Sequence, residues 1–164
     1  MSNIQENEIL NNLPEESPEK NRVVGGTLYL VATPVGNLAD LSSRAIKVLS
    51  EVDFIAAEDT RNSMRLLRYL GISKPMVSYF EHNKRTHGDM ICDKLLAGES
   101  CALITDAGTP AISDPGEDLV VLCAENGVTV TSVPGCSAVV NAQLSPLFSF
   151  SKMTSPRSRL LCSK

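Results

Sequence analysis

Short apolar runs alternate with longer amphipathic segments along most of this chain, and the alternation limits the folds it can adopt. Five runs have the length and composition of buried strands: TLYLVA (27–32), DFIAA (53–57), PMVSYF (75–80), CALIT (101–105) and VTVTSV (128–133). Helical segments are predicted at 41–51, 61–70, 84–97, 116–126 and about 136–144. This order predicts an α/β fold, a five-stranded and mainly parallel sheet with helices on both faces.

Three glycines mark the predicted ends of helices. Gly71, Gly98 and Gly127 each follow an amphipathic segment directly. Glycine is favoured there because the residue after a helix often adopts a left-handed conformation. In a parallel sheet the ligand site lies beyond the carboxyl ends of the strands, so the loops that follow the strands are the candidates for function.

Composition divides the chain into three parts. Residues 1–24 are rich in Asn, Glu and Pro and predict a flexible leader, residues 25–143 predict one α/β domain, and residues 144–164 predict a disordered tail. The net charge of −4 neither supports nor excludes a nucleic-acid partner. The five cysteines form no CxxC pair, and no apolar run approaches membrane-spanning length. We therefore expect a cytoplasmic protein with free thiols, no metal and no membrane partner.

The loop after the fourth run is the strongest candidate for a binding loop. It extends from Asp106 to Gly116 and contains two Asp, two Gly and two Pro, whereas a simple connection needs only about two to six residues. The excess length predicts a shaped loop, in which Ser113 or Asp114 caps the next helix and Pro115 occupies its first turn.

The loops after the first and last runs are shorter. Pro34 and Gly36 predict a tight turn that lets a ligand approach the backbone, or an ordinary turn between strand and helix. Ser137 either caps the following helix or binds a ligand. Cys136 is interpreted as a packing residue, because no histidine is placed in the sequence to activate it.

The loops after the second and third runs contain ionisable residues. Glu58 and Asp59 could orient a hydroxyl group or take its proton while Arg61 steers a phosphate; equally, Asp59 caps a helix and Arg61 is a surface residue. Glu81 and His82 offer direct chemistry or a capping and surface role.

A row of cations follows the second run. Arg61, Arg65 and Arg68 recur at spacings that place them on one helical face, with Lys74, Lys84 and Arg85 in adjoining connections. Such a cluster could bind phosphates, and it could equally be a solvated helix face.

Taken together, five segments resemble the bacterial ribosomal RNA small subunit methyltransferase I family, the RNA branch of the tetrapyrrole methylase superfamily. They run in the family's order and in register from about Gly26 to Ala142: GTLYLVATPVGNLADLSSRA, FIAAEDTR, SYFEHN, ITDAGTPAISDPG and VPGCSA. The resemblance implies that S-adenosylmethionine binds in a cleft between two α/β domains. It also implies methylation of the ribose 2′-hydroxyl of a cytidine in small-subunit (16S) ribosomal RNA, with that RNA or the ribosomal subunit as partner, and allows a homodimer in the full-length family.

The resemblance assigns roles to individual residues. It implies that eight residues contact the cofactor: Pro34, Asp106, Ala107, Gly108, Ile112, Ser113, Asp114 and Ser137. It places five residues on the acceptor side, where RNA enters, as the catalytic candidates: Glu58, Asp59, Arg61, Glu81 and His82.

The chain departs from the family near its end. Family members continue into a second domain of comparable size, whereas similarity is lost here from about Gln143. We therefore expect a truncated chain in which the second domain is absent and activity is impaired. The alternatives are a non-catalytic fragment that binds S-adenosylmethionine and a methyltransferase acting on a tetrapyrrole-like small molecule. The segments AAEDTR and DAGTPAISDPG favour the RNA branch over the latter.

Overall fold

The computed structural model describes residues 22–112, 116–137 and 140, and within them five strands alternate with four α-helices. The strands are β1 (Thr27–Val31), β2 (Phe54–Ala57), β3 (Met76–Ser78), β4 (Cys101–Ile104) and β5 (Thr129–Val133). The helices are α1 (Ser43–Glu51), α2 (Thr60–Tyr69), α3 (Lys84–Leu96) and α4 (Gly116–Glu125), with a 3-10 turn at Leu38–Asp40. The predicted order is confirmed from β1 to β5, and the predicted helix at about 136–144 lies mostly outside the described residues.

The strands form one sheet in the order β3-β2-β4-β1-β5, and every pair is parallel. In register, Leu28 of β1 lies opposite Cys101 of β4 on one side and Val130 of β5 on the other. β1, β2 and β4 are buried along most of their length, whereas the two edge strands are more exposed. Parallel strands that are covered on both faces have continuously apolar sequences, so the positions of these strands could be predicted from the sequence.

Alternate side chains of each strand pack into two separate apolar layers, because successive strand residues point to opposite faces. Leu28, Phe54 and Leu103 belong to the layer beneath α3 and α4. Val31 and Ile55 belong to the other layer, with residues from α1 and α2. The sheet is therefore fixed from both sides, and the loops at its carboxyl edge extend from a rigid base.

The ends of the helices follow the local sequence. Ser42 caps α1 by accepting a hydrogen bond from the Ala45 backbone N–H at 3.1 Å. The predicted glycines Gly71, Gly98 and Gly127 all have positive φ, between 70° and 97°. Their left-handed conformation, which glycine adopts without strain, confirms the predicted stops.

Two predicted boundaries were wrong by two residues, whereas the others within the described residues agree to within one. The segment 41–51 becomes helical only at Ser43, because Ser42 is the cap and holds an extended conformation. The run 75–80 pairs only over Met76–Ser78. Beyond Ser78 the Asn83 side chain bonds to the backbone in place of a neighbouring strand. Its Nδ2 donates to the Ser78 carbonyl at 3.0 Å, and its Oδ1 accepts from the Phe80 N–H at 2.8 Å. These bonds turn the chain out of the sheet.

Several predictions lie outside the described residues. They concern residues 1–21 of the leader, the cap at Ser113 or Asp114, the break near Gln143, most of the segment 136–144 and the tail at 144–164. Within the described ranges, no helix is both long and apolar enough to cross a membrane.

Candidate functional site

The centre of the sheet contains a topological switch point between β1 and β4. The chain leaves β1 towards β2, on one side, and leaves β4 towards β5, on the other, although the two strands are neighbours. Loops that leave adjacent strands in opposite directions open a crevice at the carboxyl edge, where open α/β sheets bind ligands. The loops after β1 and β4 therefore frame the candidate site.

These two loops are joined by a short bridge. The backbones of Thr33 and Gly108 exchange two hydrogen bonds, of 2.9 and 3.0 Å, in an isolated antiparallel pair. The buried Thr33 hydroxyl also donates to the Thr105 carbonyl at 3.0 Å. Gly108 has a φ of 89°, a conformation that strongly favours glycine, so the bridge depends on this residue type.

A cleft of about 340 Å³ opens beside the bridge, within the size range of small-molecule sites. The β1 and β4 loops form part of its wall, and residues 62–66 of α2 form the rest. The lining residues are Thr33, Pro34, Leu38, Asn62, Ser63, Arg65, Leu66, Thr105 and Asp106. Of the residues predicted to contact a cofactor, the structure thus places Pro34 and Asp106 at the cleft.

Asp106 and Thr105 give the cleft its polar character. The exposed Asp106 carboxylate accepts a hydrogen bond of 3.4 Å from the Asn62 side chain, which links the β4 loop to α2. The Thr105 hydroxyl is buried and has no hydrogen-bond partner among the described residues. A buried hydroxyl without a hydrogen bond reduces the free energy of unfolding by about 1–3 kcal/mol. A ligand with a polar atom that bonds to this hydroxyl would therefore bind more tightly.

Thr105 and Asn62 were missed by sequence reasoning. Thr105 ends an apolar run and directly precedes Asp106, so its position at a strand terminus was the available signal. Asn62 lies in the first turn of α2 and approaches the β4 loop only because β2 and β4 are adjacent in the sheet. That adjacency is a property of the topology, and the local pattern did not reveal it.

The β5 loop packs against the same region. The Thr109 hydroxyl donates to the Cys136 carbonyl at 2.9 Å, and the Cys136 thiol donates to the Asp40 carbonyl at 3.3 Å. A Cβ on Gly135 would lie 2.9 Å from the Cβ of Ala32, so only glycine fits there without a shift. The loops after β1, β4 and β5 therefore form one packed unit, in which Cys136 is a packing residue.

The remaining predicted cofactor residues have mixed positions. Ala107 and Ile112 are exposed, and the Ser137 hydroxyl accepts a hydrogen bond of 3.4 Å from the Val140 N–H, which is a capping contact. Ser113 and Asp114 lie outside the described residues. Ala111 has a φ of 63°, uncommon for a residue with a side chain, which marks the loop as shaped rather than a relaxed connection.

The β2 loop lies at the start of α2. Asp59 is the N-cap, and its Oδ1 accepts from the Arg61 backbone N–H at 2.8 Å. This bond, with the nearby Arg61 guanidinium, lowers the pKa of Asp59 despite some desolvation. The Arg61 Nε lies 3.5 Å from the same oxygen and the side chain is otherwise exposed, whereas Glu58 is half-buried. A carboxylate with a lowered pKa is a weak proton acceptor, so the geometry favours a capping role for Asp59.

The β3 loop lies apart from the cleft. β3 is an edge strand separated from β4 by β2. Glu81 pairs with Lys84 at 2.7 Å, and Lys84 also pairs with Asp118 of α4 at 2.6 Å. His82 is exposed, with its ring edge-on to that of Phe80 at 6.1 Å. Neither Glu81 nor His82 is among the residues that line the cleft.

Comparisons with known proteins add a further set of findings. Residues 27–145 match the family described as Tetrapyrrole (Corrin/Porphyrin) Methylases. A protein of Halalkalibacterium halodurans named ribosomal RNA small subunit methyltransferase I is 54% identical over 117 residues, which cover 71% of this chain and 40% of that protein. The protein of the same name from Synechocystis is 48% identical over 120 residues, with coverages of 73% and 43%. The chain thus spans less than half the length of these relatives.

Solved structures support the same fold. A uroporphyrin-III C-methyltransferase from Thermus thermophilus, crystallised with S-adenosyl homocysteine, superposes with a TM-score of 0.56 at 21% identity. The match covers 75% of this chain and 53% of that one. At this identity the likeness concerns the fold of the sheet and its helices.

Proposed function

Because the chain belongs to the tetrapyrrole (corrin/porphyrin) methylase family, we propose that its cleft binds S-adenosylmethionine for methyl transfer to ribosomal RNA. The finer proposal is that the whole protein methylates the ribose 2′-hydroxyl of a cytidine in small-subunit ribosomal RNA. The observation on which this rests is the 54% identity, over 117 residues, to a protein named for that substrate class.

The chemistry of the cleft fits the proposed cofactor. The Asp106 carboxylate can accept hydrogen bonds from ribose hydroxyls. The Thr105 hydroxyl, which no described residue satisfies, can donate or accept one. Leu38 and Leu66 offer apolar surface for a flat ring. In the proposal, the wider set of cofactor contacts consists of Pro34, Asp106, Ala107, Gly108, Ile112, Ser113, Asp114 and Ser137.

When bound, S-adenosylmethionine supplies a methyl group attached to a sulfonium, from which the neutral thioether S-adenosylhomocysteine would be a good leaving group. The protein then has mainly to hold the acceptor hydroxyl in line, and correct orientation alone can account for several kcal/mol of the barrier. In the proposal, the acceptor side where RNA enters consists of Glu58, Asp59, Arg61, Glu81 and His82. Glu81 and His82, which lie apart from the cleft, contact RNA away from the reacting hydroxyl. Asp59 acts there by fixing the start of α2, from which the exposed Arg61 side chain can reach a phosphate.

The first test measures cofactor binding by the 164-residue chain. We expect isothermal titration calorimetry to detect binding of S-adenosylmethionine, and Asp106→Asn to weaken it roughly 10-fold, the value of a hydrogen bond to a charged group. Asp93→Asn is the matched control, because Asp93 is exposed on α3. A folded circular dichroism spectrum without binding would refute the cofactor proposal, whereas equal binding by both variants would remove Asp106 from the set of contacts.

The second test separates the two substrate classes. Because the chain spans 40% of the Halalkalibacterium protein, we expect weak transfer or none from the 164-residue polypeptide. Transfer of a labelled methyl group is therefore measured with purified small ribosomal subunits and with uroporphyrinogen, using high protein concentrations. Labelling of cytidine ribose supports the proposal, whereas labelling of the tetrapyrrole alone would replace it with the small-molecule alternative.

A further inference from the structure

The solvent-facing side of α2 concentrates positive charge. The helix reads TRNSMRLLRY and contains three arginines and no acidic residue. Arg61, Arg65 and Arg68 are all exposed, and they recur at spacings of four and three residues, so they share one face. We call these three residues the arginine row.

The arginine row is weakly compensated by acidic groups. Arg61 lies near Asp59, at 3.5 Å, whereas Arg65 and Arg68 form no ion pair with any described residue. Elsewhere, Lys47, Lys84 and Lys94 each pair with a carboxylate. In a chain whose net charge is −4, this face is therefore a local site of attraction for an anion.

A groove of about 610 Å³ lies beside the row, between α2 and the segment that leads from α2 into β3. Its lining is mainly apolar, with two cations: Met64, Leu67, Arg68, Gly71, Ile72, Ser73, Lys74 and Met76. Met64 is 48% exposed and Tyr69, on the same helix, is 68% exposed. Methionine and arginine side chains both make favourable contacts with flat aromatic rings, so the groove suits a planar group attached to an anionic chain.

The row also connects the groove to the cleft. Arg65 lines the cleft between β1 and β4, and Arg68 lines the groove. From Arg61 to Arg68 the helix rises about 10 Å, at roughly 1.5 Å per residue. That length corresponds to roughly three phosphate-to-phosphate steps at the stacked spacing of roughly 3.4 Å. One strand lying along α2 would therefore reach both sites.

We propose that the arginine row and the adjoining groove bind single-stranded RNA, with its phosphates on Arg61, Arg65 and Arg68 and one unstacked base in the groove. This inference rests on the proposed function and names the surface on which the substrate meets this domain. A single strand fits better than a duplex, because only an unpaired base can leave its stack and enter an apolar groove.

The test measures binding of a fluorescent single-stranded RNA oligonucleotide to the full chain by anisotropy, without cofactor and over a range of salt concentrations. Arg65→Gln with Arg68→Gln is expected to weaken binding roughly 10-fold. It should also reduce the slope of log K against log salt by about 1.4, since each phosphate contact on a single strand contributes about 0.7. The matched control is Arg44→Gln with Lys47→Gln, which removes the same charge from α1.

Several outcomes would overturn the inference. If both double variants lose affinity equally, binding reflects overall charge; if neither changes the salt slope, RNA does not lie on the row. Equal affinity for duplex RNA, or for vesicles containing anionic lipid, would also count against it. Titration of the same samples with S-adenosylmethionine keeps the two proposals apart. Cofactor binding without RNA binding refutes the surface alone, whereas RNA binding that depends on the row and occurs without cofactor binding refutes the proposed function and leaves the surface standing.

Discussion

Two threonines at the cleft should respond in opposite directions to the same substitution. Thr33 is 2% exposed and its hydroxyl donates to the Thr105 carbonyl at 3.0 Å. Thr105 is 8% exposed and its own hydroxyl has no partner among the described residues. Valine has nearly the shape of threonine, so Thr→Val at either position changes hydrogen bonding with little change in packing.

The expected magnitudes follow from the two environments. Thr33→Val removes a buried hydrogen bond and should cost about 1–2 kcal/mol, whereas Thr105→Val removes an unsatisfied polar group and should stabilise the cofactor-free chain by about 1 kcal/mol. The total difference of about 2–3 kcal/mol corresponds to a separation of about 1 M in urea midpoint, at a typical slope of about 2–3 kcal/mol/M.

The assay is urea unfolding followed by circular dichroism, with Thr129→Val as the control at an exposed strand position. Titration with S-adenosylmethionine provides an independent readout, in which Thr105→Val should lower affinity roughly 3- to 10-fold although the protein itself is more stable. Destabilisation of similar size in both variants would refute the reasoning, because it would mean that the Thr105 hydroxyl is already satisfied in the free protein.

Two other properties can be checked directly. The Asp53 carboxylate accepts from the Ser100 N–H and hydroxyl, both at 2.7 Å, and these bonds hold its pKa below the ordinary 3.8. The contribution of this carboxylate to the free energy of unfolding is complete well above pH 3.8, and it is lost as pH falls through the lowered pKa. The stability gap between wild type and Asp53→Asn, measured in urea, should therefore narrow in acid; a gap that widened there would contradict the assignment. Burial raises the pKa of the Cys101 thiol and raises that of Cys123 to about 12, so iodoacetamide should label the half-exposed Cys136 first among the described cysteines. Peptide mass spectrometry identifies the labelled cysteine, with the urea-unfolded chain as the control. Labelling of Cys101 or Cys123 as fast as that of Cys136 in the folded chain would contradict the prediction.

The elements of the fold were predictable because their signals are local. β1, β2 and β4 are buried on both faces, so their sequences are continuously apolar, and the glycines after the helices mark the stops. β3 was less accurately bounded, since the strand ends where the Asn83 side chain bonds to backbone groups of Ser78 and Phe80. A side chain that competes with the sheet for backbone hydrogen bonds leaves little trace in an apolar pattern.

The candidate site was only partly predictable. The sequence identified the β4 loop by its excess length and its Gly, Pro and Asp content, and the structure places its first residue, Asp106, at the cleft. Asn62 was missed, because its contact with Asp106 joins residues from two connections that are far apart in the chain. In the sequence, Glu81 and His82 follow a strand just as the other candidate residues do. However, β3 is an edge strand, and its loop lies away from the cleft.

By itself, then, the sequence determined which segments are strands, where the helices stop and which loops are unusual, because burial, capping and turn preferences act over a few residues. Only the tertiary structure decided which loops meet. The strand order β3-β2-β4-β1-β5 makes β1 and β4 neighbours and creates the bridge from Thr33 to Gly108. It also leaves the Thr105 hydroxyl buried at the cleft without a partner among the described residues. These features depend on contacts between distant parts of the chain, and such contacts are fixed only when the strands assemble into one sheet.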